Sequence, residues 1–389
     1  MKPSDRIAAI KPYYFATKLA EVRELINKGN DIVNLGIGSP ETQTPEVIVD
    51  ELIRTSKLEG AGQYQPYIGI EELRKAFSNW YQNVYNVELN PSNQILPLMG
   101  SKEAIMHIHL AFCNPGDKVL IPNPGYPTYS ASANMLGLNV QYYDLDEENN
   151  WLPSIEKLEE QLQLQSNTKV MWINYPNMPT GAKVLKKDLE EIVQFAKRHS
   201  ILLVNDNPYS LILNETPLSI HACSMEYQDV LELNSLSKSH NMSGWRVGVV
   251  TGSKENISNI TKVKSNFDSG MYKPIQQAAI KALNIGEEWN QELNSEYQQR
   301  IEIVWQILDL LKCSYDKKNK GMFVWARVND QFKTGEVLSD YLLYNYNIFA
   351  TPGSIFGSNG ENYIRFSICA SQSDLRKALI RIKTEKVWS

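Results

Sequence analysis

Lys238 closes the segment Ser235–Leu236–Ser237–Lys238, at the end of the apolar run Val230–Ser235. A lysine attacks carbonyls only after losing its proton, and a nearby cation helps it do so. Arg246 is such a cation, eight residues on, in Gly244–Trp245–Arg246–Val247–Gly248. With the hydroxyls of Ser235 and Ser237 it also makes a good phosphate clamp. Asp206 ends the apolar run Ile201–Asp206, and Tyr209 follows three residues later. A carboxylate there can be a metal ligand, a base or the partner of a protonated ring nitrogen; alone it reads as an Asp-Asn-Pro turn.

Gly100, Ser101 and Lys102 open a helical pattern that runs to about Cys113. A Gly-Ser pair at a helix start presents N–H groups to an anion, and a plain serine cap is the simpler reading. Tyr126 lies just past the run Lys118–Pro122, where a ring can stack on a flat heterocycle or merely belong to a proline turn. Arg365 interrupts the apolar run Tyr363–Ser367. A buried guanidinium wants a carboxylate, from a ligand or from an internal salt bridge.

Such groups need strand ends to hold them. Short apolar runs at Lys118–Pro122, Val140–Leu145, Lys169–Asn174, Ile201–Asp206, Val230–Ser235 and Trp245–Thr251 alternate with amphipathic stretches such as Asp188–His199. That alternation predicts an α/β domain with a largely parallel sheet, whose carboxyl ends line a ligand crevice. The last third reads differently: a long helix over Glu287–Lys312, a strand over Met322–Val328, a helix over Thr334–Tyr346 and a strand over Tyr363–Cys369. We expect a large domain over residues 48–285 and a smaller α+β domain from residues 1–47 and 286–389.

Composition narrows the classes. The chain has 389 residues, 42% hydrophobic and 21% charged, with a net charge of −5. Those are globular values, and the mild acidity argues against a nucleic-acid binder. The four cysteines are dispersed and form no CxxC pair, so reduced cytoplasmic thiols are expected rather than a disulfide framework or zinc knuckle. No run approaches a membrane span, and no secretory leader is expected. Gly36–Ile37–Gly38 lacks the third glycine of a dinucleotide fingerprint. His107 and His109, two apart on a helix, point to different sides, so no metal site is expected.

Taken together and in this order, the pieces resemble the class I/II aminotransferases of the aspartate-aminotransferase family (fold type I) over nearly the whole chain. The resemblance also includes Leu35–Glu41, Tyr64–Pro66, Gly69, Pro179–Thr180–Gly181, Pro352–Gly353 and Phe356–Gly357, and the 32-residue step from Asp206 to Lys238. It implies pyridoxal 5′-phosphate (PLP) held by Lys238 as a Schiff base, an α-amino acid and a 2-oxo acid as substrates, and a homodimer with shared active sites. By the same resemblance Asp206 pairs with the ring nitrogen, Tyr209 donates to the phenolic oxygen and Tyr126 stacks on the ring. Gly100, Ser101, Lys102, Ser235, Ser237 and Arg246 hold the phosphate, with Tyr64 reaching the neighbouring subunit's. Arg365 takes the substrate α-carboxylate, with the backbone near Gly38 assisting.

One position departs from the family. Met178 stands where an asparagine normally donates to the phenolic oxygen, and a thioether cannot donate. Asn174 and Asn177 are the candidates to replace it. Transamination is the leading expectation; elimination at a C–S bond on the same scaffold is the alternative, and a non-catalytic PLP binder is the third. Side-chain selection is expected from the segment around Lys11–Ala20 and from the partner subunit. Aromatic, methionine-like and dicarboxylic amino acids stay open, and Asp268–Gln276 is similar to the branch that includes LL-diaminopimelate aminotransferases.

Overall fold

The computed structural model describes residues 4–8, 14–163, 167–224 and 226–384. Strands are numbered in chain order. β1 is Val33–Asn34. The large sheet holds β2 (Ile95–Leu98), β3 (Lys118–Asn123), β4 (Asn139–Asp144), β5 (Thr168–Ile173), β6 (Leu202–Asp206), β7 (Val230–Ser235) and β8 (Gly248–Gly252). Then follow β9 (Ser314–Tyr315), β10 (Phe323–Arg327), β11 (Ile348–Phe349), β12 (Thr351–Pro352) and β13 (Tyr363–Ser367).

The seven-stranded sheet has the order β2-β8-β7-β6-β5-β3-β4. β3 to β7 run parallel to one another, while β8 is antiparallel to both β7 and β2. The central strands are buried on both faces, which is why they read as continuous apolar runs instead of alternating ones. Helices cover them, among them Lys186–Arg198, whose Leu189, Ile192, Val193, Phe195 and Ala196 form its buried stripe. The parallel strands β3, β5, β6 and β7 end, respectively, at Asn123, Ile173, Asp206 and Ser235, and the functional residues cluster at these ends.

Two small sheets lie beside it: β1 paired with β11, and the antiparallel set β12-β13-β10-β9. Trp325 of β10 is the register partner of Arg365. The chain after β1 is tied to β13 by the Ser367 N–H donating to the Leu35 carbonyl (2.7 Å), so residues 35–38 are held near Arg365. The helix Glu287–Leu310 packs on the C-terminal helix Gln372–Thr384.

Two elements differ from the sequence expectation. β2 contains Pro97 and pairs on one side only, an edge position where a proline costs no ladder bond. The run from Trp245 becomes a strand only at Gly248, because Ser243–Trp245 forms a 3₁₀ turn and Arg246 takes a left-handed conformation (φ 57°). Gly248 is where β8 meets the turn that precedes the helix Lys102–Phe112: a Cβ there would fall 2.4 Å from the Ser101 backbone nitrogen. Backbone cannot yield as a side chain can. Gly248→Ala is therefore expected to cost about 1–3 kcal/mol in urea denaturation, as overpacking does; unchanged stability would contradict this packing.

Candidate active site

A cavity of about 430 Å³ opens at the carboxyl ends of the parallel strands. Lys238, Asp206, Tyr209, Ser101, Lys102, Tyr126, Ser235, Ser237, Arg246, Gly38 and Arg365 all line it. Residues separated by up to 327 positions in sequence thus meet in one place.

Lys238 sits on the short helix Leu236–Ser239 that follows β7 directly. Ser235 caps that turn by accepting the Ser237 N–H (3.1 Å). The Lys238 ammonium donates to the Gly38 carbonyl, and Gly38 is bare because a Cβ would strike the Phe323 ring at 2.4 Å. Burial lowers the lysine's pKa, and the charges of Arg365 and Arg246 lower it further, which favours the neutral, nucleophilic amine.

One end of the cavity is an anion cradle. Ser101 precedes the helix Lys102–Phe112, so free N–H groups point there. Ser235 Oγ and Ser237 Oγ are 2.9 Å apart, and Arg246 Nη1 donates to the Ser243 carbonyl (2.9 Å) and Ser237 Oγ (3.5 Å). Gly100 is behind this cradle at φ +82°, and a Cβ on it would lie 2.1 Å from Arg246 Nη2. Only glycine lets the arginine lie against that turn.

Deeper in, Asp206 ends β6, buried. Its Oδ2 accepts from Tyr129 Oη (2.9 Å), while Oδ1 is buried with no partner among the described residues. Burial raises this carboxyl to about 6. The Tyr129 ring stacks on Trp172 (4.7 Å, 12°), and Trp172 Nε1 donates to His109 Nε2 (2.8 Å). Burial drops His109 to about 4, so it is neutral, and its Nδ1–H donates to Ser132 Oγ (2.9 Å). His109 is a core residue that braces Tyr129. Tyr209 beside the cavity stays protonated, since burial pushes its phenol up.

At the other wall Arg365 Nη2 donates to the Gly36 carbonyl (2.8 Å), and its guanidinium lies over the Phe323 ring (3.9 Å) and near Phe356 (4.7 Å). Leu19, Ile37, Met178, Phe323 and Phe356 make the remaining wall largely apolar.

Three expected residues do not line the cavity, and Gly100, which stands behind the cradle, is one of them. Asn177 is a correction: its Oδ1 accepts from Thr180 N–H and Oγ1–H (3.2 and 2.8 Å) and its Nδ2 donates to the Asn174 carbonyl, so the turn before Gly181 consumes it. Asn174 does line the cavity, but its Nδ2 donates to the Asp206 carbonyl and its Oδ1 accepts the Met178 N–H. Tyr64 is 90% exposed and does not line this chain's own cavity. Of the segment expected to select side chains, residues 11–13 lie outside the described residues, and Leu19 reaches the cavity. Tyr129, Ser243, Phe323 and Phe356 were not singled out from sequence. Tyr129 had a signal: it follows Tyr126, the residue that caps the helix Pro127–Met135, by three positions.

The model of the family "Aminotransferase class I and II" matches residues 30–382. The chain belongs to that family. It is 36% identical over 386 residues to an LL-diaminopimelate aminotransferase of Aquifex aeolicus, covering 99% of each chain, and 34% identical to one of Maridesulfovibrio salexigens, covering 98% of each. A substrate-bound BacF structure from Bacillus subtilis superposes with a TM-score of 0.94 at 32% identity, over 99% of this chain and 98% of that one. A Thermus thermophilus aspartate aminotransferase mutant gives 0.90 at 26%, over 99% of each. The chain is thus a PLP-dependent enzyme that transfers an amino group between an amino acid and a 2-oxo acid. The site fits that cofactor: the unpartnered Asp206 Oδ1 waits for a buried cation, and the glycine-backed cradle suits a phosphate. Among the described residues no helix is long and apolar enough to cross a membrane.

The Asp206 value makes a stability prediction. The folded pKa of about 6 exceeds the unfolded 3.8. Its contribution is therefore complete below pH 3.8 and lost as pH rises through 6. By pH 7.5 the ionised carboxylate costs the cofactor-free protein about 3 kcal/mol. Cofactor-free Asp206→Asn should be more stable than wild type at pH 7.5 in urea denaturation, by up to about 3 kcal/mol, with the gap closing near pH 4, while binding PLP less tightly. Equal stability at pH 7.5 would contradict it.

Proposed function

We propose that the cavity transaminates α-amino acids with apolar side chains, with Arg365 holding the α-carboxylate and Lys238 moving the proton at the substrate α-carbon. The observation that carries this is the convergence of Lys238, Asp206 and Arg365 on one cavity whose remaining wall is Leu19, Ile37, Met178, Phe323 and Phe356. Bound PLP supplies an aldehyde for the lysine amine and a cationic ring that draws electrons from the α-carbon.

The chain's own residues set the rest. Ser101, the Lys102 N–H, Ser235, Ser237 and Arg246 neutralise and orient the phosphate. Asp206, oriented by Tyr129, keeps the ring nitrogen protonated. Tyr209, kept protonated by burial, would donate to the phenolic oxygen, and Tyr126 would offer its ring to the cofactor's. A lowered pKa lets Lys238 accept the α-proton once its amine is free. Arg365 would hold the substrate carboxylate at two points on the wall of the cavity that Lys238 also lines.

We take residues 48–285 as the cofactor-binding domain and residues 1–47 with 286–389 as the smaller one that bears Arg365. We also infer a cytoplasmic homodimer. Tyr64, Phe267 (65% exposed) and Tyr272 (45%) are large, exposed aromatics, suited to burial against a second copy, with Tyr64 completing the partner's phosphate site. The curated relatives are named for LL-diaminopimelate, which carries a second ammonium and carboxylate; on the described cavity wall the one carboxylate is Asp206, already assigned to the ring.

The test is a panel of amino acids with the holoenzyme, in the presence and absence of 2-oxoglutarate. Phenylalanine, methionine and leucine are expected to outperform aspartate and LL-diaminopimelate by at least about tenfold in kcat/KM, the scale of one unpaired polar group. Faster turnover of LL-diaminopimelate would overturn the substrate assignment. Acceptor-independent release of ammonia and a 2-oxo acid would overturn transamination in favour of elimination.

A further inference from the structure

Met178 is buried, yet it lines the cavity. Its N–H donates to Asn174 Oδ1 (2.7 Å), and Asn174 in turn donates to the Asp206 carbonyl. The residue is thus built onto the same strand ends as the cofactor carboxylate. Its side chain goes the other way: Arg365 Nη1 donates to Met178 Sδ at 3.3 Å. Together with the Gly36 carbonyl on Nη2 and the Phe323 and Phe356 rings, the thioether is one of several neutral groups around the guanidinium.

The choice of atom matters. A carboxylate beside Arg365 would compete with a substrate carboxylate for the fork. A thioether is polarisable and a weak acceptor, so it can orient the guanidinium without satisfying it. It also leaves the cofactor side of the cavity with no donor from position 178, and neither Asn174 nor Asn177 is arranged to replace it with the hydrogen bonds they make here.

We propose that Met178 is a positioning residue for the substrate: its sulfur sets the orientation in which Arg365 receives the α-carboxylate, at the expense of a hydrogen bond to the cofactor's phenolic oxygen. This rests on Arg365 as the carboxylate holder.

Three variants of the holoenzyme test it. Met178→Leu keeps apolar bulk and removes the lone pairs. It is expected to raise KM for the amino acid roughly three- to tenfold, with kcat within about twofold, and to leave the pH titration of the visible absorption band unmoved. Met178→Asn places an amide donor at the phenolic oxygen and is expected to shift that titration to lower pH. An unchanged KM in Met178→Leu overturns the role toward Arg365; an unmoved titration in Met178→Asn overturns the loss of a donor. Arg365→Lys is the control: if its KM does not rise, the carboxylate assignment itself fails, whatever Met178 does.

Discussion

An ionised carboxylate buried without a cation is the constraint on which this structure turns. Asp206 has one oxygen held by Tyr129 and the other facing nothing among the described residues. Burial pushes its pKa to about 6 even against the Tyr129 hydrogen bond, so in the cofactor-free protein at neutral pH it is a charge in the wrong medium. A protonated ring nitrogen turns that cost into an attraction. The stacked Tyr129–Trp172 pair and neutral His109 behind it hold the carboxylate in place from below, so the site is shaped before the cofactor arrives.

The rest of the architecture aligns other groups with that charge. Parallel strands deliver Asp206 and Ser235 to the same edge of the sheet, and the short capped helix after β7 sets Lys238 beside them. Glycines are placed where chains must touch: Gly100 behind Arg246, Gly248 behind Ser101, Gly38 against Phe323. Arg365 comes from a separate sheet and is brought close by residues 35–38, which bond both to Ser367 and to its guanidinium. Cation, anion and nucleophile therefore come from different elements, and Lys238's lowered pKa follows first from its burial among them and then from the charges of Arg365 and Arg246.

Much of this was legible in the sequence because buried parallel strands are written as apolar runs, and polar residues at their ends stand out. Asp206 and Lys238, at or just past the ends of β6 and β7, stood out for that reason, whereas Arg246 was noticed by its spacing from Lys238 and lies in the turn before β8; the strands from β3 to β7 fall within one residue of the expected limits. β2 was not readable, being four residues long with a proline inside. Asn177 misled because an asparagine before a Pro-Thr-Gly turn looks the same whether its amide faces a ligand or closes the turn. Tyr129 and the sulfur contact of Met178 depend on side-chain direction, which spacing alone does not carry.

The most direct measurement is the ¹⁵N NMR shift of the cofactor ring nitrogen in holoenzyme reconstituted with ¹⁵N-labelled PLP, followed from pH 6 to 9. If Asp206 pairs with it as proposed, the nitrogen should stay protonated across that range in wild type and lose its proton in Asp206→Asn. A wild-type nitrogen found unprotonated at pH 7 would contradict the proposed pairing with Asp206.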